Sequence, residues 1–170
     1  MSAPGGEARD RILVTGVSGS GKSTVGIELA RRLGLEYADG DDFHSKGNVD
    51  KMTAGIALDD DDRRPWLLSI GRWMHDHDRG AVVACSALKR CYRDLVLGAC
   101  PSVWFVQLNG DEELIRERQA ARHGHYMPTS LMDSQFATFE RLADDEPGLV
   151  VDVGPEVDEI VDTIVASVRG

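Results

Sequence analysis

Gly16-Val17-Ser18-Gly19-Ser20-Gly21-Lys22-Ser23 satisfies the phosphate-binding pattern G-x-x-x-x-G-K-[ST] at every position. Glycines let successive backbone N–H groups turn inward without Cβ clashes, which makes a nest for an anion. A helix starting at the end of the loop, near Thr24, adds unsatisfied N–H groups and the positive end of its dipole. Lys22 is long enough to reach the outer phosphates of a nucleoside triphosphate, and the Ser23 hydroxyl suits Mg²⁺.

Other residue types point to an acceptor of the phosphoryl group. Asp39 and Asp41 flank Gly40, and such a pair serves Mg²⁺ through water or accepts a proton from an attacking hydroxyl; it also caps turns. Ser86-Ala87-Leu88-Lys89-Arg90 places cations where a helix begins, against the helix dipole, a local conflict expected at a site that holds an anion. Arg118 and Arg122 share a helix face, one to stack on a purine and the other to reach a phosphate; Arg116 has Glu112, Glu113 and Glu117 as ion-pair partners. Asp59 to Asp62 reads as a helix start, and Arg63-Arg64-Pro65-Trp66 beyond it sets arginine beside a rigid turn and an aromatic ring. His44 and Lys51 are further polar candidates, and glycine and proline in 123–128 mark a flap expected to move on binding.

These residues need a scaffold that brings them to one rim. Apolar runs at 11–15, 35–38, 81–85, 103–108 and 149–153 alternate with helical patterns at 24–33, 60–77, 90–97, 111–122, 131–142 and 156–168. Five short strands separated by helices imply an α/β fold with a five-stranded parallel sheet covered on both faces. In such sheets ligands sit beyond the carboxyl ends of the strands, where every motif above falls. A polar helical segment follows Asp42, from Ser45 to about Met52.

Composition removes several classes of function. The chain has 170 residues, 19 basic against 29 acidic, for a formal net charge of −10. That balance argues against nucleic acid or an anionic membrane as partner, since both demand a basic face. Residues 1–10 read as a flexible leader and 11–170 as a single domain. Cys85, Cys91 and Cys100 lack metal-ligand spacing, and three cysteines cannot all pair, which indicates a reduced, cytoplasmic protein.

Beyond the glycine loop, several runs are distinctive. They are Asp39-Gly40-Asp41-Asp42-Phe43-His44, Asn48-Val49-Asp50-Lys51-Met52, Asp60-Asp61-Asp62-Arg63-Arg64-Pro65-Trp66-Leu67, Ala84-Cys85-Ser86-Ala87-Leu88-Lys89-Arg90, Gly124-His125-Tyr126-Met127 and Ser134-Gln135-Phe136. Together they resemble the small P-loop gluconokinases, relatives of shikimate and nucleoside monophosphate kinases, from Ile12 to about Asp152. Ser45 and Arg141 stand where that family usually has proline, and Tyr126 and His123 where it often has phenylalanine and lysine.

The resemblance implies a three-layer P-loop kinase fold with substrate-binding helices (about 43–79) and a small lid (about 122–130). It implies transfer of the ATP γ-phosphoryl group to the 6-hydroxyl of D-gluconate by a cytoplasmic enzyme, and it allows a homodimer. On this basis residues 16–24, with Lys22 and Thr24, hold the nucleotide together with Arg118 and Arg122, and Ser23 with Asp39 serves Mg²⁺. Lys22, Asp41, Lys89 and Arg122 are the expected catalytic residues; Asp41, His44, Lys51, Arg64, Lys89 and Gln135 are expected to bind the sugar acid. Two rivals stand beside this reading: a kinase of another small acceptor, and a nucleotide-binding regulator, against which Asp41 and Lys89-Arg90 argue.

Overall fold

The computed structural model describes residues 9–121 and 129–169. Five parallel strands form one sheet: β1 (Arg11–Thr15), β2 (Glu36–Asp39), β3 (Ala81–Ala84), β4 (Trp104–Asn109) and β5 (Gly148–Asp152), in spatial order β2-β3-β1-β4-β5. β1 is central, pairing Ile12 with Val82 of β3 on one side and with Trp104 of β4 on the other. Its Ile12, Leu13 and Val14 are fully buried, as an apolar run covered on both faces must be.

Helices α1 (Lys22–Leu33) and α7 (Val157–Arg169) pack together on one face, and α3 (Asp60–Asp76) and α4 (Arg90–Ala99) on the other. Two apolar cores result, one around Ile12, Val14, Leu29 and Ile164, the other around Leu13, Leu67, Ile70 and Phe105. The remaining helices are α2 (Lys46–Thr53), α5 (Glu112–Ala120) and α6 (Thr129–Thr138), and a 3₁₀ turn (Gly40–Phe43) links β2 to α2.

Local chemistry accounts for the helix boundaries. Ser45 accepts from the Asn48 N–H and caps α2, so serine gives this junction a helix start that needs no proline. The acidic run resolves into a reciprocal capping box, in which Asp59 accepts from the Asp62 N–H and Asp62 from the Asp59 N–H. The helix expected over 131–142 runs instead from Thr129 to Thr138. Beyond Thr138 the backbone finds partners outside the helix: Glu140 N–H donates to Leu88 O, and Leu142 N–H to the Gln107 side chain. The leader expected over 1–10 falls almost wholly outside the described residues, as does 122–128 of the expected lid.

Candidate active site

At the carboxyl end of β1 the chain turns through the glycine loop into α1. Gly21 caps the helix in the left-handed region, φ 94, and no atom lies within 4 Å of where its Cβ would stand. Backbone conformation, not crowding, therefore demands glycine there, and the space over the loop stays open for an anion. The loop is braced from within: Ser20 Oγ donates to Val17 O at 2.6 Å and Lys22 Nζ to the same oxygen at 3.2 Å. No acidic residue occupies the first turn of α1, so nothing competes for the positive end of its dipole. A cavity of about 390 Å³ opens over residues 19–25, walled by Arg118 and by the turn Gly154-Pro155-Glu156 that leads into α7. Arg118 is steadied by donating to Val153 O at 2.6 Å.

A second cavity, about 470 Å³, lies beyond the ends of β2 and β3. Asp39 closes β2 and accepts from the Asp41 N–H at 2.9 Å, so it takes the turn-capping role while the Asp41 carboxyl stays out of that bond. A Cβ on Gly40 would come within 2.8 Å of Ala84 O, and the Gly40 carbonyl accepts from Trp66 Nε1 at 2.7 Å, which ties α3 to this turn. Asp41 opens into the cavity, and its carboxyl pKa is raised, first by desolvation and then by the neighbouring Asp39 charge; His44 and Lys22 oppose the shift. His44 stacks on Trp66 with centroids 4.1 Å apart, and its Nδ1 faces the Asn48 side-chain amide at 3.3 Å. With that amide donating, Nδ1 is an acceptor and the neutral ring carries its proton on Nε2. Burial lowers the His44 pKa, in keeping with a neutral ring.

Among the described residues, Arg63 brings a guanidinium to this wall. It donates to Tyr92 Oη at 3.2 Å, lies over the Tyr92 ring, and pairs with Asp60 at 3.7 Å. Tyr92 in turn donates to Asp60 at 2.8 Å, and its pKa is pushed up to about 12, mainly by burial, which keeps it a donor. Ser86 and Leu88 come from the corner after β3. A buried ion pair fixes that corner: Arg93, fully buried, donates to Ala87 O and Leu88 O and meets Glu146 at 2.7 Å. Burial alone would raise the Glu146 pKa; hydrogen bonds from Arg93 and the Ala143 N–H override it and hold it low.

Geometry sorts the residues selected from sequence. Gly19 to Thr24 and Arg118 line the first cavity, and Asp41, His44 and Gln135 the second. Lys51 and Arg64 do not line it: Lys51 meets Asp62 at 2.9 Å, and Arg64 is exposed while its neighbour Arg63 faces the cavity. Lys89 caps α4 with its ammonium over the Tyr92 ring, and Arg90 pairs with Asp145, so that corner's cations stand beside the cavity rather than in it. Arg116 takes the ion-pair role, meeting Glu112 and Asp133. Arg122 lies outside the described residues. Tyr92, Ser134 and the Gly154-Pro155-Glu156 turn were given no role from sequence, although Ser134 falls in the distinctive Ser134-Gln135-Phe136 run.

Comparison with known proteins follows the same lines. The shikimate kinase family profile matches residues 18–109. The thermosensitive gluconokinase of Escherichia coli is 38% identical across 91% of this chain and 85% of its own length. A gluconokinase of Gluconobacter oxydans is 40% identical across 91% and 88%. The crystal structure of a gluconokinase from Sinorhizobium meliloti superposes with a TM-score of 0.87 at 41% identity, covering 96% of this chain and 93% of that one.

Proposed function

This chain belongs to the gluconokinase family of P-loop kinases, and we propose that it transfers the γ-phosphoryl group of ATP to the 6-hydroxyl of D-gluconate, giving 6-phosphogluconate and ADP. The observation that carries the reading is the pairing of the two cavities: a glycine-loop cradle on one side, and on the other a pocket of mixed apolar and polar lining with a raised-pKa carboxylate at one part and a guanidinium at another. A six-carbon sugar acid offers the matching ends, a hydroxyl and a carboxylate.

In-line phosphoryl transfer asks the protein mainly to position oxygens, neutralise charge and exclude water. Lys22 and the loop amides hold the donor phosphates, with Arg118 and the Gly154-Pro155-Glu156 turn flanking the base. Asp41 receives or orients the proton of the attacking hydroxyl, a role that its raised pKa favours. Arg63, aimed by Tyr92 and Asp60, takes the carboxylate, and His44 Nε2–H donates to a hydroxyl between the two. Lys89 supports the wall through Tyr92.

Mg²⁺ fits the donor set, because Ser23 and Asp39 supply hard oxygens. Mg²⁺ usually keeps several waters and takes phosphate oxygens beside one or two protein oxygens. Bound there, Mg²⁺ would neutralise phosphate charge as it develops. The reading makes this a cytoplasmic enzyme of a small sugar acid, without nucleic-acid or membrane partner, and admits a homodimer. Its acidic balance accords with that, and no described helix is long and apolar enough to cross a membrane.

The test is ADP release from Mg-ATP with gluconate, shikimate, other sugar acids and nucleoside monophosphates offered in turn. Turnover on gluconate is expected to dominate. Turnover on shikimate or a monophosphate, with none on gluconate, sinks the proposal.

A further inference from the structure

Two glutamines converge on Ser18 of the glycine loop. The Ser18 N–H donates to Gln135 Oε1 at 2.6 Å, and the Ser18 hydroxyl donates to Gln119 Oε1 at 2.9 Å. Gln119 stands in the last turn of α5 and is buried; Gln135 belongs to α6, the next helix along the chain. Gln135 also faces a second way. Leu131, Ser134, Gln135 and Thr138 all line the acceptor cavity, and their spacing of three, four and seven puts them on one stripe of α6. One side chain therefore ties the helix that walls the acceptor cavity to the loop that cradles the donor. Among the described residues, further ties of α6 run elsewhere: Arg116 of α5 meets Asp133 and covers the Phe136 ring, and beyond the helix Glu140 N–H reaches Leu88 O.

We propose that Gln135 is a positioning residue that couples occupancy of the two cavities, so that nucleotide in the loop strengthens binding of the sugar acid and the sugar acid strengthens binding of nucleotide. Phosphate charge in the nest draws the loop amides towards it, and any adjustment at Ser18 is felt by the Gln135 carboxamide and by the stripe around it. Linkage makes the effect reciprocal and equal in both directions. The inference rests on the proposed function, because it takes gluconate as the ligand of the second cavity.

The experiment measures gluconate binding to the full chain by calorimetry, alone and saturated with Mg²⁺ and a non-hydrolysable ATP analogue. Wild-type affinity is expected to rise by roughly fivefold or more with the analogue bound, the lower end of usual coupling. Gln135→Met keeps the length of the side chain and removes the oxygen; its ratio is expected to fall to about one. Gln119→Met breaks the other tie to Ser18 without touching the acceptor wall, and most of the ratio should survive. Gluconate binding that weakens equally in both states of Gln135→Met, leaving the ratio intact, would make Gln135 a mere contact and overturn the proposal. Loss of the ratio in Gln119→Met to the same degree overturns it too, since general loop rigidity would then be the cause. Wild-type protein that binds gluconate indifferently to nucleotide overturns the coupling alone; wild-type protein that binds no gluconate in either state overturns the proposed function and the coupling with it.

Discussion

The donor and acceptor halves of the site are built on opposite plans. The proposed donor cradle comes chiefly from consecutive residues, 19–25, and what it offers a ligand is backbone N–H groups and a helix end. The acceptor cavity draws on the turn after β2, on α2 and α3, on the corner after β3, on α4 and on α6, and side chains make its polar contacts. A backbone cradle recognises any polyphosphate and is fixed by local conformation. A side-chain pocket distinguishes one hydroxy acid from another and depends on how distant elements are packed. Substitutions should therefore divide the two halves: those at the packing points of the second half should injure acceptor recognition and leave nucleotide recognition standing.

Arg93 is the strongest test, because it is fully buried and holds the Ala87-Leu88 corner as well as Glu146. Arg93→Met leaves Glu146 buried without its partner, and breaking a buried pair in this way destabilises by about 3–5 kcal/mol. The double variant Arg93→Met/Glu146→Leu removes both charges and should recover much of that loss in a denaturant titration. In the folded fraction, the Michaelis constant for gluconate should rise while that for ATP holds. A larger effect on ATP than on gluconate would erase the division between the halves.

The same division explains what could be read from the sequence. The glycine loop, the strand alternation and the Asp-x-Asp pair are local patterns, and each stands in the structure near where its pattern put it. Arg63 and Arg64 show where locality ends. Both precede Pro65 in one helix, and only the roll of α3, fixed by Trp66 donating to Gly40 O and by Leu67 and Ile70 in the core, turns Arg63 inward. Lys51 is similar: its partner Asp62 lies on another helix, and the capping geometry that places Asp62 is set by Asp59. Tyr92 was visible as a residue but not as a wall, since its role arises from meeting Asp60 and Arg63 across the α3–α4 contact.

Asp41 is next in expected size. Asp41→Asn should lower turnover by about 10²-fold or more and leave ATP affinity near normal, since the amide cannot accept the proton. In nucleotide-free wild type the Asp41 carboxyl should titrate above the ordinary aspartate range when followed by NMR, because desolvation and Asp39 raise its pKa. Stability moves the other way. A carboxyl whose folded pKa exceeds its unfolded value contributes fully below the unfolded pKa, and that contribution is lost as pH rises through the folded one. At neutral pH the asparagine variant should therefore unfold at a temperature no lower than wild type, a stability–activity opposition expected of a working carboxylate. A clear loss of stability in Asp41→Asn at neutral pH would contradict the crowding of charge at this turn.

The smallest effect separates two neighbouring arginines. Arg63 faces the acceptor cavity, anchored by Tyr92 and Asp60, whereas Arg64 is exposed. A hydrogen-bonded charge pair with a substrate carboxylate contributes about 1.5–3 kcal/mol, which corresponds to roughly 10- to 100-fold in affinity. Arg63→Gln should raise the Michaelis constant for gluconate by about that factor, towards its lower end because Arg63 is partly open to solvent, with turnover less affected and the ATP constant unchanged. Arg64→Gln should stay within about twofold on all three, as surface substitutions usually do. Uncharged polyols of the same length should bind wild type as weakly as gluconate binds Arg63→Gln, because each lacks one member of the same pair. Equal effects from the two arginines, or a larger one at Arg64, would mean that α3 is rolled differently when the acceptor is bound, and the carboxylate would then belong to Arg64.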